Sequence, residues 1–374
     1  MASNPLPVIF AAKKTYSTMS IPVSNCPEDR VSAQTSFAPL CFRILLMSAL
    51  APVFCPGCSD PSPAFAEDGL RTRTAIQFSV SAHGAEPSGI RSLDIFFFND
   101  DPLQRLDAYQ RLEGGVLPAA VGASRSGRKI LAVLANHSPE GFHWAEAASL
   151  EVLRARMFRL QDEDPAHPQM SALQPVMAGS AVPVTLSSPL SCIEVGSLKC
   201  DFSERNYRDA SLEDVRIYLT NVNAAVPVFC DTLPSPVEIL HAGRFRPADQ
   251  QGFRHPEILI DSLPQPVGKQ ICHPETRLYC YPNATTQSSP GSPPTRLVIE
   301  GKMQGKTCFY PLEIGRGTWG VTPPGILPGR TYRFDVTLTR RGADTPDMSL
   351  EPGTVQCSLS VMPWNERNDT VIDF

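Results

Sequence analysis

Ile90-Arg91-Ser92-Leu93-Asp94-Ile95-Phe96-Phe97-Phe98-Asn99-Asp100-Asp101-Pro102 is the stretch on which the fold turns. Side chains along a strand point alternately to opposite faces. Apolar residues at successive positions therefore predict a central strand from Ile90 to Phe98, covered on both sides. The same alternation argues against a ligand pocket lined by Phe96, Phe97 and Phe98 together and assigns them to a core. Asn99-Asp100-Asp101-Pro102 supplies the turn chemistry that ends the strand.

Working outward, Lys129 to Ala135 is a second buried run, closed by Asn136-His137-Ser138-Pro139. Upstream, Ile76, Phe78 and Val80 alternate with Gln77 and Ser79, the period of a half-buried strand over Thr72 to Val80. One helix is expected, from an N-cap at Ser149 to about Leu160, with Leu150, Leu153, Met157 and Leu160 on the stripe that packs against a sheet. Short strands follow at Ala181 to Ser187 and Ile193 to Phe202, with a domain boundary near Pro189.

Farther on, Val215 to Thr220 and Tyr332 to Leu338 alternate as half-exposed antiparallel strands. Leu297 to Glu300 and Thr307 to Leu312 flank a Gly301 to Gly305 connection and suggest a hairpin. Cys357 to Val361 and Thr370 to Phe374 close the chain. Many short strands, turn signals and one helix indicate a mainly β chain of β-sandwiches.

The 374 residues suffice for two cores, and their 37 prolines, roughly twice ordinary usage, argue against long helices. A hydrophobic share of 42% is enough to fill cores. The net charge of −5 is small, and its Lys and Arg are scattered, so no nucleic-acid partner is expected.

Location is read from Arg43 to Phe54, a basic residue followed by an apolar run too short to span a membrane. Cys55-Pro56-Gly57-Cys58-Ser59-Asp60 follows and resembles a bacterial lipoprotein signal, with Cys58 as the lipidated residue. Cys55 and Pro56 depart from the usual pattern. The alternatives are cleavage near Ala64-Phe65-Ala66, or a cytosolic protein. Residues 1–42 show no periodicity and are set aside from the fold.

Seven cysteines lie beyond Cys58, and an odd number cannot all pair. Cys308 and Cys357 read as small core residues. Cys192/Cys200 and Cys272/Cys280 share one spacing, which places each pair on one face of a strand, too far apart to bridge directly. A bridge between the two segments remains open.

Enzyme signatures are missing: there is no phosphate loop, and no Gly-x-Ser-x-Gly elbow. Cys272-His273 with Cys280, and Asp162, Glu163, Asp164 and His167, are metal-ligand candidates without zinc-site spacing. Asp100, Asp101 and Asp107 lack the glycine that an EF-hand loop needs. Each group is better explained as loop or turn, so no metal, no cofactor and no enzymatic activity are expected. Trp364, after Met362-Pro363, reads as a cap on a sandwich end before it reads as a sugar-stacking residue.

The string from Ser92 to Leu112, SLDIFFFNDDPLQRLDAYQRL, resembles the amino-terminal signature of Bacteroidales fimbrial subunits, a family of fimbrillins, minor-fimbria proteins and anchor or tip components. GRKILAVLANHS (127–138), PVMAGSAVPVTL (175–186), LYCYPNATT (278–286), PTRLVIEGKMQGKTCFYPL (294–312), PGRTYRFDVTLTRRGADTPD (328–347) and the VMPWN ending (361–365) agree in order.

The resemblance implies two transthyretin-like β-sandwich domains, one short helix in the first, and a lipoprotein precursor. It also implies assembly by insertion of a neighbour's strand into a groove of the first domain. Polymerising members lose their first strand to an Arg-specific protease, and Arg71 and Arg73 are the candidate processing sites. Anchor-type members keep that strand, which would leave both arginines in a solvated linker. The terminal strands Cys357 to Val361 and Thr370 to Phe374 are candidate donors.

The expected layout is an amino-terminal extension plus signal (1–58), a linker (59–71), and sandwiches over 72–188 and 189–374. The expected role is an accessory anchor or tip subunit of surface fimbriae supporting adhesion. Its partners would be other subunits, the outer membrane through a lipid on Cys58, and a host or bacterial surface ligand. The alternatives are a lipid-anchored glycan-binding protein that does not polymerise, stacking sugars on Trp319 or Trp364, and, more remotely, a surface metalloenzyme.

Overall fold

The two apolar runs become neighbouring strands in the middle of one sheet. The structure, a computed structural model, describes residues 72–74, 76–80, 89–114, 121–123, 127–137, 147–180, 182–230, 236, 238–284, 293–314 and 325–364, with the backbone alone for those within 72–80 and 121–123. In chain order, the first half contains β1 (Thr72–Thr74), β2 (Ile76–Val80), β3 (Ser92–Asn99), β4 (Leu106–Glu113), β5 (Val121–Ala123), β6 (Arg128–Ala135), α1 (Leu150–Arg154), β7 (Met157–Arg159), β8 (Met170–Met177) and β9 (Val182–Leu186).

An antiparallel sheet in the order β4-β3-β6-β8 is its centre. Every residue from Leu93 to Phe98 is buried, as the two-faced reading requires. Leu93, Ile95 and Phe97 lie on one face with Leu131, Val133 and Ala135. Phe96 and Phe98 lie on the other with Ala132 and Leu134.

Asp94 is the one charge between Leu93 and Phe98, and β4 explains it. Arg111 Nη1 donates to both Asp94 carboxylate oxygens at 2.9 and 2.7 Å, and the Tyr109 hydroxyl donates at 2.8 Å. Burial, reinforced by Asp94, pushes the Tyr109 hydroxyl up to about 12. β4 is an edge strand of half-exposed residues with charges on alternate positions, which is why its sequence does not advertise a strand.

The expected helix is shorter than its apolar stripe. Ser149 is the N-cap, its Oγ accepting from the Val152 N–H at 3.4 Å, but α1 ends at Arg154. Residues 157–159 turn extended instead. Met157 and Arg159 flank a fully buried Phe158, so the burial pattern has changed from helical to strand period. Leu160 is buried in a single 3₁₀ turn over Leu160–Asp162.

The second half contains β10 (Ser191–Cys200), β11 (Glu213–Thr220), β12 (Val222–Asn223), β13 (Ala225–Pro227), β14 (Ile239–Leu240), β15 (Ile260–Ser262), β16 (Thr276–Cys280), β17 (Arg296–Met303), β18 (Lys306–Glu313), β19 (Arg330–Leu338) and β20 (Val355–Pro363). Two four-stranded sheets form, ordered β16-β10-β19-β20 and β15-β11-β17-β18. Inward side chains from both, including Val195, Phe334, Ile217 and Ile299, share one core. β19 pairs antiparallel with β20 but parallel with β10, which alternation alone does not reveal.

A bulge at Gly196 resets β10. Ile193 and Val195 face the core before it, and Leu198 and Cys200 after it, so the inward positions change from odd to even. Cys200 joins that core whereas Cys192 does not, so the common-face expectation for this pair fails at the bulge. Cys192, Cys200, Cys272, Cys280, Cys308 and Cys357 carry free thiols. Burial pushes the Cys192, Cys200 and Cys357 thiols up to about 12. Cys308 is fully buried, as expected of a small core residue, and Cys357 is partly buried.

The hairpin between β17 and β18 turns at Gln304-Gly305, both with positive φ, and not at Gly301. Gly301 lies within β17 because the Leu212 side chain occupies the space a Cβ would need. Gly301→Ala should therefore destabilise the fold by about 1–3 kcal/mol, read as a lower urea midpoint. Gln304→Asn, at a turn position that favours Asn, should leave the midpoint unchanged.

Candidate assembly groove

The Phe97 face of the first sheet is a trough whose floor follows from strand register. Across β3, β6 and β8 the rows are Leu93-Ala135-Met170, Ile95-Val133-Ala172 and Phe97-Leu131-Gln174. The next row, Asn99-Lys129-Val176, turns polar. Lys129 Nζ donates to Asn99 Oδ1 at 2.7 Å and pairs with Asp107 at 3.1 Å, the two charged side chains being 3% and 4% exposed. Asp107 reaches this position through a bulge opposite Phe97 and Phe98. One end of the apolar trough is thus marked by a buried ion pair.

β9 is the lid. Val182, Val184 and Leu186 are buried on the trough, while Pro183 and Thr185 point outward. Two clamps hold it over its own sheet: Gln174 Nε2 donates to the Pro183 carbonyl at 2.8 Å, and Ser171 and Ser187 exchange backbone hydrogen bonds at 3.0 Å.

β2 extends this lid by pairing parallel to β9, with Ile76 opposite Val182 and Val80 opposite Leu186. Among the described residues β2 has no other strand neighbour. Parallel pairing is slightly weaker per residue than antiparallel, and a two-stranded ribbon is marginal by itself. The segment closest to the amino terminus is therefore the part of the cover held by the fewest backbone contacts.

The return from β2 into β3 is pinned. Asn136, at φ +57°, donates from Nδ2 to the carbonyls of Gly89 (3.0 Å) and Pro168 (2.9 Å), and its Oδ1 accepts from the Arg91 N–H at 2.8 Å. Asn is one of the few non-glycine residues at ease in this conformation. The turn foreseen after the second apolar run thus doubles as the clip on the lid's connection.

Arg71, Cys58 and the apolar stretch before it lie outside the described residues, as do Thr370 to Phe374 and Trp319. Arg73 is the middle residue of β1, opposite Gly122 of β5. Both arginines precede β2, so a cut after either would leave β2 joined to β3. The first arginine or lysine after β2 is Arg91. Its side chain is 61% exposed and pairs with Asp164 at 3.3 Å. Sequence reasoning passed over Arg91 because it sits inside the apolar run; its place between two strands is the signal.

The metal-ligand candidates are occupied elsewhere. Cys280 is buried in the core, Cys272 exchanges backbone hydrogen bonds with Leu198, and His273 Nδ1 lies 2.8 Å from the Gly196 carbonyl. Glu163 is fully buried, whereas Asp164 pairs with Arg91 and His167. Among the described residues no three His, Cys, Asp or Glu side chains converge, and no helix is long and apolar enough to cross a membrane. Trp364 rests on Tyr279, ring centroids 5.6 Å apart, and packs against the core as a cap.

This mainly β arrangement is the fold of solved cell-adhesion and fimbrial structures. A candidate cell adhesion protein from Bacteroides eggerthii DSM 20697 superposes with a TM-score of 0.59 at 17% identity, over 79% of this chain and 96% of that one. Another from Parabacteroides distasonis ATCC 8503 gives 0.58 at 13% identity, over 80% and 99%. A fimbrilin from Porphyromonas gingivalis W83 gives 0.56 at 15% identity, over 79% and 99%. At such identities the likeness is one of fold. Compared with protein-family profiles and with curated proteins, the sequence matches none.

The buried pair offers a test of the trough. Lys129→Met removes the ion pair from the buried Asp107 carboxylate and should cost about 3 kcal/mol. Lys129→Met with Asp107→Leu should recover most of that loss, measured by guanidinium unfolding.

Proposed function

We propose that this chain is a structural subunit of cell-surface fimbriae, an accessory anchor or tip component in preference to a bulk stalk subunit, which joins its neighbours by strand insertion. The observation that carries this reading is the lid. An apolar trough is closed by a ribbon whose outer strand comes from the amino-terminal end and, among the described residues, is hydrogen-bonded to one partner strand. Replacing that strand by one from another subunit would conserve the main-chain hydrogen bonds, so exchange is close to balanced in energy. No catalytic group is required.

The fold shared with a fimbrilin supports the same reading. In it, 72–188 acts as the groove-bearing domain and 189–374 as the second sandwich. A lipid on Cys58 tethers an anchor subunit to the outer membrane and keeps β2 attached. A tip subunit meets a host or bacterial surface ligand instead. Arg71 and Arg73 remain processing sites that trim the leader, whereas detaching β2 calls for a cut at Arg91.

Two recombinant chains separate the outcomes. One beginning at Ser92, which lacks β2, should bind a synthetic peptide spanning Thr74 to Val80. One beginning at Thr72 should not bind it. A Ser92 chain that folds yet does not bind the peptide would overturn strand insertion.

A further inference from the structure

The seam between the first sheet and the second half contains a buried carboxyl group with no ion-pair partner among the described residues. β7 pairs with β13 there, and the core runs unbroken from Phe96 and Phe158 to Val226 and Phe334. Glu163, just after the 3₁₀ turn, is fully buried at this seam. Its Oε1 accepts from the Tyr281 hydroxyl at 2.7 Å, and its Oε2 accepts from the Gln169 N–H at 3.1 Å. Gln169 Nε2 donates to the Arg159 carbonyl at 3.4 Å and reaches the Tyr281 hydroxyl at 3.5 Å, while its Oε1 faces His137 Nδ1 at 3.2 Å. The chain His137–Gln169–Glu163–Tyr281 thus ties the end of β6, the start of β8 and the 3₁₀ turn to the residue following β16.

The charges around Glu163 offer no compensation. Asp162, on the same turn, has the same sign. Asp164 is engaged by Arg91 at 3.3 Å and His167 at 3.5 Å. His137 reaches Glu163 through the Gln169 amide, and Tyr281 brings a hydroxyl. Among the described residues no Lys, Arg or His forms an ion pair with Glu163.

We propose that Glu163 is a proton-operated latch: with its carboxyl protonated the seam is closed, and when the carboxyl ionises the two halves loosen about it. A neutral carboxyl fits here, its Oε2 accepting from the Gln169 N–H and its protonated Oε1 donating to the Tyr281 oxygen, whereas a full charge with no ion-pair partner is costly. Burial, opposed by hydrogen bonds from Tyr281 and Gln169, pushes Glu163 up to about 8, and burial also holds Tyr281 well above its ordinary value. In the unfolded chain the carboxyl titrates near 4.3. Between those two values the closed seam holds a proton that the opened chain releases. Its closing equilibrium therefore weakens by up to about tenfold per pH unit as pH rises, and levels off above the folded value. Acid tightens the seam.

This inference rests on the seam and not on the fimbrial reading. Hydrogen exchange of the full chain, corrected for the intrinsic rate at each pH, should show β7 and β13 amides losing at least tenfold in protection between pH 6 and pH 8.5, relative to amides of β19. Glu163→Gln should retain pH 6 protection at both values. Equal pH dependence in wild type and Glu163→Gln, or none in wild type, would refute the latch. If that variant does not fold, infrared spectroscopy of the wild type decides: a buried protonated-carboxyl band should be present at pH 6 and fade through pH 8, and a wild type without that band refutes the latch equally.

Discussion

Six consecutive side chains, Leu93 to Phe98, are buried at once, and a strand cannot achieve this without apolar cover on two faces. The rest of the chain divides along that requirement. The Phe96 face is covered by α1, by Phe158 and Leu160, and through them by the core of the second half. The Phe97 face is covered by β9, with β2 alongside. The first cover is continuous with the largest core in the molecule. The second is a two-stranded ribbon, and this asymmetry in how the two faces are held makes the Phe97 face the candidate site of assembly.

Much of this was legible in the sequence wherever one residue period dominated. The run at Leu93 to Phe98, the run at Lys129 to Ala135 and the alternation at Tyr332 to Leu338 all became strands. The reading failed where partners decide. β4 carries Asp107, Tyr109 and Arg111 at alternate positions, and its charges make sense only beside Lys129 and Asp94. The stripe Leu150, Leu153, Met157, Leu160 is helical in spacing, yet pairing with β13 draws 157–159 into a strand and buries Phe158 instead. A single glycine, Gly196, changes which cysteines share a face.

The candidate site was legible in outline only. Its floor is written in the apolar runs, but the parallel pairing of β2 with β9 joins segments far apart in sequence. No local pattern encodes it. That pairing also changes the meaning of the arginines: position relative to β2, and not nearness to a strand, decides what a cut would release. The buried Glu163 was likewise masked by its neighbours Asp162 and Asp164, which make the segment resemble a solvated acidic loop. Contact with Tyr281 from the other half is what sets it apart.

The account depends on β2 being the exchangeable part of a fold that is otherwise held on all sides. Native-state hydrogen exchange of the chain from Thr72 onward measures this directly. The amides of Ile76–Val80 should exchange through local opening, well before those of Leu93 to Phe98, which open only with the whole first sheet. If the β2 amides are as slow as those of β3, the lid is not separable from the fold and the assembly groove is contradicted.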